Sequence, residues 1–398
     1  MLNSFFRSIQ TQIRTVKLSA PASKAQEICE VIVPLNQKIN NIQALRAFAA
    51  IAVVIFHTGY VVPHMLAIGS FGVDIFFVIS GYIMARICET NPNFFLRRRL
   101  VRILPPYWAM TILLFLFAWK FPQLLKATQA SGPELIKSLL FIPYYKSNGL
   151  LRPLLFVGWS LNYEMFFYVA LTGSLLILPT SPLLLTSGII LTIVGICHFF
   201  IGRGAIPAFY ANVVMVEFIF GILAYFAARS VSTQKAIKFR GFSLLCFTGS
   251  LFAIVFHQGL PQVSNAWYPW LVTAAISFVM VTSASLLSQG GWDTEMAWVV
   301  LIGDSSYVLY LLHPYSETLI DKAFARHIPL LAIDHLFGSL FATVISIGLA
   351  VLLHLKLEMP SVAYLNRRFG GKRKSTEFTG VSARSPATVP PLEGTKKL

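Results

Sequence analysis

Charge is what this sequence has least of. Only 12% of its 398 residues are Asp, Glu, Lys or Arg, and only 16 of them are acidic. A soluble domain carries roughly 25% charged residues, so a water-soluble globular fold is excluded for most of the chain. Cysteine is nearly as scarce. Cys29, Cys88, Cys197 and Cys246 stand far apart, with no CxxC and no metal-ligand spacing. Neither a disulfide framework nor a zinc site is expected, and no metal is called for. The first forty residues lack the apolar core and small-residue cleavage site of a secretory signal. No repeat of 20–50 residues and no separate soluble domain stand out.

What is present is apolar sequence in long runs. Hydrophobic residues make up 56% of the chain and the mean hydropathy is +0.68. The runs fall near the ~20 residues that cross a hydrocarbon core. They predict an all-α, polytopic transmembrane helical bundle in a single domain, with about ten spans at 43–62, 69–88, 104–121, 157–178, 183–201, 210–228, 241–257, 268–287, 297–317 and 333–355. The domain is expected over 41–361. Residues 1–40 form a cytoplasmic leader in which Leu2, Phe5, Phe6, Ile9, Ile13 and Val16 share a helical face beside Arg7, Arg14 and Lys17. A short helix on an anionic membrane surface and a disordered basic leader both fit that pattern. Residues 362–398 are basic and rich in Ser, Thr, Pro and Gly, as a disordered cytoplasmic tail would be.

The net charge of +16 would suggest a nucleic-acid partner in a soluble protein. Here the basic residues lie between apolar runs, so the expected partner is the lipid bilayer and no nucleic acid is expected. With both termini cytoplasmic, 24 of the 32 Lys and Arg fall inside and 8 outside, which satisfies the positive-inside rule. The segment that fits it least is 120–156 on the outer side, with Lys120, Lys126, Lys137, Lys146 and Arg152.

Ionisable side chains within spans are costly and mark functional sites by default. Arg46, His57, Asp74, Glu164, Glu217, Asp304 and His313 are such residues. Arg46 and His57, eleven positions apart, share one face of the first helix at about 16 Å along its axis. The topology puts His57, Asp74, Glu164 and His313 in the outer half, and Arg46 with Arg97, Arg98, Arg99 and Arg102 toward the inner side. A two-ended site follows. The arginines could hold an anionic, phosphate-bearing donor, and they equally serve as topology signals. His57, tuned by a neighbouring carboxylate, could take a proton from an acceptor hydroxyl; a helix-packing role is the plainer alternative. Glu217 and Asp304 are expected in structural pairs.

These residues fall in blocks. Arg46, ten residues and His57 open the series, and Gly72-Val-Asp74 through Ser80-Gly81-Tyr82 follow. Next come Phe95 to Trp108 with Arg98, Arg99 and Arg102, then Trp159-Ser160-Leu161 to Glu164, Phe218 to Gly221, Gly303 to Pro314 with Tyr307, Tyr310 and His313, and Glu358-Met-Pro360. In this order the chain resembles the acyltransferase-3 family of bacterial membrane O-acyltransferases from about residue 40 to 361. One departure is Tyr82 where the family commonly has Phe, and the leader before Asn41 is longer than usual. Many members carry a fused extracytoplasmic hydrolase-like domain, whereas this compact chain is most like exopolysaccharide production acetyltransferases and lipopolysaccharide-modifying relatives.

The resemblance implies transfer of an acetyl or other acyl group from cytoplasmic acetyl-CoA or another acyl-CoA to a hydroxyl of an exported glycan, at a bacterial inner membrane. The acceptor would be a polysaccharide or a lipid-linked oligosaccharide. It implies His57 as base paired with Arg46, Asp74 and Glu164 in the catalytic pocket, and Arg98, Arg99 and Arg102 on the CoA phosphates. Ser80, Trp159, Ser160, Tyr307 and His313 would line the substrate pocket. The rival reading is a polysaccharide or lipid-linked sugar exporter, which also lines a polar path with buried charge. A non-catalytic scaffold is a third, and it leaves the Arg46–His57 face unexplained.

Overall fold

The computed structural model describes residues 38–57, 71–90, 92, 95–124, 130–259, 268–327 and 335–369. The leader to residue 37, Cys29, and the tail from residue 370 lie outside the described residues, as does the helix-or-coil question for the leader. The described residues are mostly helical, and their one β feature is an isolated bridge between Tyr145 and Leu151.

In chain order the helices are α1 Asn40–His57, α2 Phe71–Thr90, α3 Phe95–Lys120, α4 Gly132–Leu139, α5 Trp159–Ile177, α6 Pro182–Phe199, α7 Ala205–Tyr210, α8 Glu217–Arg229, α9 Thr233–Lys238, α10 Arg240–Gly259, α11 Tyr268–Gln289, α12 Ala297–His327, α13 His335–Leu353 and α14 Met359–Phe369. A π turn, His354–Glu358, joins the last two. Residues 362–369 are therefore helical rather than part of the tail. Arg367 and Arg368 in the last turn complement the negative end of the helix dipole there.

Six of the described helical segments are long and apolar enough to cross a membrane: Asn40–His57, Phe71–Thr90, Phe95–Lys120, Pro182–Phe199, Trp270–Gln289 and Leu340–Arg368. Among the described residues the count of about ten spans is thus not confirmed, and the other expected runs fall short for physical reasons. The run at 210–228 is broken by a 3₁₀ turn, Val213–Val216, which leaves α8 only 13 residues long. In α10 the apolar stretch is Arg240–Ile254. α5 carries Asn162 and Glu164, and α12 carries Asp304 and His313, which dilute their hydropathy. The protein is embedded in a membrane. Its outward side chains, among them Leu113, Trp119, Leu184, Phe199, Leu245 and Phe252, are exposed and apolar, and in water so many would be an aggregation hazard.

The central packing brings α2 against α8, and α12 against both α1 and α13, with α11 touching α1, α2 and α8. Small residues make the closest approaches. A Cβ on Gly81 would overlap the Phe218 carbonyl oxygen of α8, and one on Gly303 would overlap the Gln43 carbonyl oxygen of α1. Backbone contact of this kind is how helices associate in lipid, where burial of apolar surface drives nothing. The start of α1 is fixed from outside the helix. Asp293, between α11 and α12, accepts from the Asn41 N–H at 2.8 Å and the Asn40 N–H at 3.2 Å, supplying the cap that the first turn lacks. As the sequence predicts, Asp304 is paired, here with Lys38.

Candidate active site

α1 and α12 run side by side and build a ladder of polar groups. At its foot Arg46, buried at 9% exposure, donates from Nη2 to Ser306 Oγ at 2.9 Å and from Nη1 to Gln43 Oε1 at 3.1 Å. Tyr310 lies one turn beyond Ser306 and His313 nearly a turn further. Ser306 and His313 are therefore about 10 Å apart along the axis.

A cavity of about 800 Å³, counting the space at its mouth, opens at the foot of this ladder. Arg46, Arg99, Arg102, Glu164 and Tyr168 line it together with Ser80, Ser160, Ser306, Tyr307 and Tyr310, and its apolar wall includes Phe76 and Ile103. Glu164 accepts from Ser80 Oγ at 3.1 Å and from the Tyr168 hydroxyl. Arg102 Nε lies 3.8 Å from Glu358 Oε1, and Glu358 Oε2 is 2.6 Å from His354 Nδ1. Arg46 is held by neutral partners. Three guanidinium groups thus share the cavity with one carboxylate, and the surplus is positive. Pro105 and Pro106 interrupt α3 beside it, which loosens the backbone ladder, and the Ile103 carbonyl accepts from Tyr307 at 2.8 Å.

The head of the ladder is a pair of histidines. The rings of His57 and His313 are 4.9 Å apart, with Phe156 at 5.6 Å and Phe56 at 5.0 Å from His57. His57 Nδ1 lies 2.8 Å from the Val53 carbonyl, and His313 Nδ1 lies 3.3 Å from the Leu309 carbonyl. A carbonyl only accepts, so each ring in its neutral form carries its proton on Nδ1 and keeps a bare lone pair on Nε2. His313 is fully buried and its Nε2 has no hydrogen-bond partner. Between the head of the ladder and the cavity stands Tyr310. Its hydroxyl meets Ser160 Oγ at 2.8 Å and the Val157 carbonyl at 3.0 Å, and its ring is 5.9 Å from that of His313.

Several sequence expectations are corrected. The cavity reaches Arg46 but stops at Tyr310 and Ser160, short of His57. Among the described residues no carboxylate adjoins His57; its neighbours are aromatic rings, His313 and the charge of Arg152. Asp74 lies about 110° round α2 from the face formed by Val73, Phe76, Phe77 and Ser80, and it faces Glu217 of α8 instead. Glu217 in turn accepts from Trp270 Nε1 at 3.0 Å. Glu164 sits with the arginines, not with the histidines. It bonds to Ser80 at the middle of α2, because the buried stretch 153–158 carries the chain inward before α5 begins. Arg98 does not line the cavity; it is about 90° round α3 from the Arg99–Arg102–Ile103 face. Trp159 packs edge-on against Phe77 and Tyr163 and does not line the cavity either.

Ser80, Ser160, Tyr307, Arg99, Arg102, Glu164 and Arg46 do come together as cavity residues. Sequence reasoning gave no role to Tyr168, Ser306, Tyr310 or Glu358. Tyr168 was within reach, since it follows Glu164 by one helical turn, and Ser306 and Tyr310 stand in the Gly303–Pro314 block. Glu358 stands in the Glu358-Met-Pro360 block, but its place beside Arg102 was not legible, because only the turn between α13 and α14 returns it to α3.

Residues 39–355 match the Acyl_transf_3 family, described as an acyltransferase domain. The exopolysaccharide production protein ExoZ of Rhizobium meliloti is 30% identical over 337 residues, which cover 83% of this chain and 100% of that protein. The O-acetyltransferase OatA of Staphylococcus aureus is 27% identical over 307 residues, 68% of this chain and 49% of that one. The peptidoglycan O-acetyltransferase OatA of Listeria monocytogenes is 32% identical over 159 residues, 35% of this chain and 24% of that one. No solved structure matches. With the match spanning most of its length, the chain belongs to the acyltransferase-3 family and is a membrane-embedded O-acyltransferase.

Proposed function

We propose that the protein moves an acetyl group, or a related acyl group, from a cytoplasmic acyl-CoA to a hydroxyl of an exported glycan. In this reading both termini are cytoplasmic, the membrane is a bacterial inner membrane, and further helices complete about ten crossings. The observation that carries it is the ladder itself: a cavity with surplus positive charge at its foot, directed at two histidines with bare Nε2 atoms. Three guanidiniums in a partly desolvated cavity suit phosphates, which accept charge-assisted hydrogen bonds. Arg99 and Arg102 would hold the nucleotide end of the donor, with Arg46 behind them. The pantetheine arm would run along Phe76 and Ile103 and bring the thioester up to Tyr310. A shift of the Tyr310 ring would join the two compartments.

The chemistry assigned to the head of the ladder is general base catalysis. His57 Nε2 takes the proton of the acceptor hydroxyl while the oxygen attacks the thioester carbonyl. The C–O bond forms, the C–S bond breaks, and the departing thiolate recovers the proton from the His57 imidazolium. The products are an ester and free CoA thiol, and no oxidant, reductant or metal is needed. His313 Nε2 can accept from the same hydroxyl or from protonated His57, which orients the proton path. The acetyl specificity and the glycan acceptor are supported by the names of the ExoZ and OatA relatives. The exporter reading is disfavoured by the family match.

The test is transfer of label from acetyl-CoA to a polysaccharide by the purified protein in lipid. Acceptor-dependent ester formation is expected in the parent, and near-complete loss in His57→Ala with the fold retained. Undiminished turnover by His57→Ala would remove His57 as base.

A further inference from the structure

The outer segment 120–156 holds five basic residues and one acidic residue, Glu134, on the side where the positive-inside rule expects fewest. Two of these cations, Lys146 and Arg152, are set on a rigid platform. The Tyr145–Leu151 bridge closes a tight turn, with the Lys146 N–H donating to the Leu150 carbonyl at 2.9 Å and Gly149 at φ 79°. Beneath it, Ser138 Oγ meets the Tyr144 hydroxyl at 2.9 Å and accepts from the Leu154 N–H at 2.9 Å. The buried Tyr107 hydroxyl donates to the Ser138 carbonyl at 3.0 Å. Lys146 Nζ donates to the Leu154 carbonyl at 3.5 Å.

This platform adjoins the histidine pair. Arg152 precedes by four residues Phe156, whose ring is 5.6 Å from His57, and the Arg152 charge is felt at both His57 and Lys146. Burial pushes the Lys146 ammonium below the ordinary lysine value, Glu134 opposes that shift, and Arg152 adds to it. Among the described residues neither Lys146 nor Arg152 has a carboxylate within 4.0 Å. Two like charges carried on one turn beside the histidine pair, with the Glu134 charge acting on Lys146 only from beyond ion-pair distance, leave a positive surplus that suits an anion from outside the chain.

We infer that Lys146 and Arg152 form a subsite for a sugar carboxylate, so that the acceptor is an anionic polysaccharide docked with its reacting hydroxyl at His57. The inference rests on the glycan acceptor proposed above and names its class. Arg152 supplies a planar fork for the carboxylate and Lys146 a point charge. The field of the pair draws the polyanion to the outer mouth.

The experiment measures binding, apart from turnover. The full chain in nanodiscs of zwitterionic lipid is titrated at low salt with tetragalacturonate and with its carboxyl-reduced, neutral counterpart. The charged probe should bind about tenfold more tightly, which corresponds to ~1.4 kcal/mol, and the preference should fade as salt is raised. Lys146→Gln with Arg152→Gln should erase the preference, while Arg203→Gln, a charge lost elsewhere on the outer side, should preserve it. Equal binding of the two probes by the parent protein overturns the inference without recourse to any variant. So does retention of an anionic phospholipid by the parent but not by the double variant, if the two probes bind alike; the subsite would then belong to a lipid headgroup. A parent protein that prefers the charged probe yet acylates no glycan would leave the subsite standing and refute the proposed acyl transfer.

Discussion

The foot and the head of the α1–α12 ladder use buried polar groups in opposite ways. At the foot, charge is abundant and several of the polar groups are already partnered. Arg46 is held by Gln43 and Ser306, Glu164 by Ser80 and Tyr168, and Arg102 faces Glu358. A pocket of this kind can take an anion without reorganising, because its dipoles already point inward. At the head, two imidazoles lie among aromatic rings with the charge of Arg152 nearby, and one acceptor, His313 Nε2, is left open. An unsatisfied buried acceptor costs roughly 1–3 kcal/mol, and it is relieved when a hydroxyl or an imidazolium N–H arrives. The lesson is that the residues that bind and the residues that react are built to different rules. Binding groups gather surplus charge in an open cavity, and the reacting pair keeps a buried acceptor without a partner.

Substitutions at the two ends should therefore fail differently. The largest effect is expected at the head. His57→Ala should lower kcat by about 10²–10⁴ while the KM for the donor stays near its parental value, as initial rates at varied acetyl-CoA would show. His313→Gln should lower kcat by about tenfold to a hundredfold with donor KM again unchanged. A donor-KM effect of either histidine would erase the distinction between the ends. At the foot the pattern should invert: Arg99→Gln or Arg102→Gln should raise donor KM about tenfold each, the loss of one charge-assisted contact, with kcat nearly kept.

Between the ends, Tyr310→Phe removes the hydroxyl that meets Ser160 and Val157. It should change kcat by less than about tenfold, in keeping with one or two neutral hydrogen bonds, and donor KM should hold. The smallest effect should come from Trp159→Phe, which keeps an aromatic edge against Phe77 and Tyr163. Activity within about twofold of the parent and a thermal midpoint lowered by a few degrees are expected.

Much of this comparison was legible in the sequence. Hydropathy runs placed the helices, and an eleven-residue spacing put Arg46 and His57 on one face of α1. The block order carried the family, and the Gly303–Pro314 block held Ser306, Tyr310 and His313 together at the spacing of successive turns. Depth was not legible. Glu164 reads as an outer residue because α5 was assumed to start at the membrane edge. The buried stretch 153–158 overrides that assumption through tertiary contacts with Tyr107 and Tyr310. Partnership was not legible either. Asp74 turns from the cavity to Glu217 because α2 must also serve α8, an assignment fixed by the Gly81–Gly221 contact rather than by any motif. Periodicity names the face of a helix, and packing decides which neighbour that face meets.

The central claim is that the arginine end grips donor phosphates while the histidine end handles the acceptor. Comparing acetyl-CoA with its 3′-dephospho form as donors, in the parent and in Arg99→Gln/Arg102→Gln, tests it most directly. The account predicts that losing the 3′-phosphate raises KM about tenfold in the parent and far less in the double variant, since the phosphate and the guanidiniums act as partners. An equal KM penalty in both proteins would mean that the phosphate is held elsewhere, and the two-ended ladder would be contradicted.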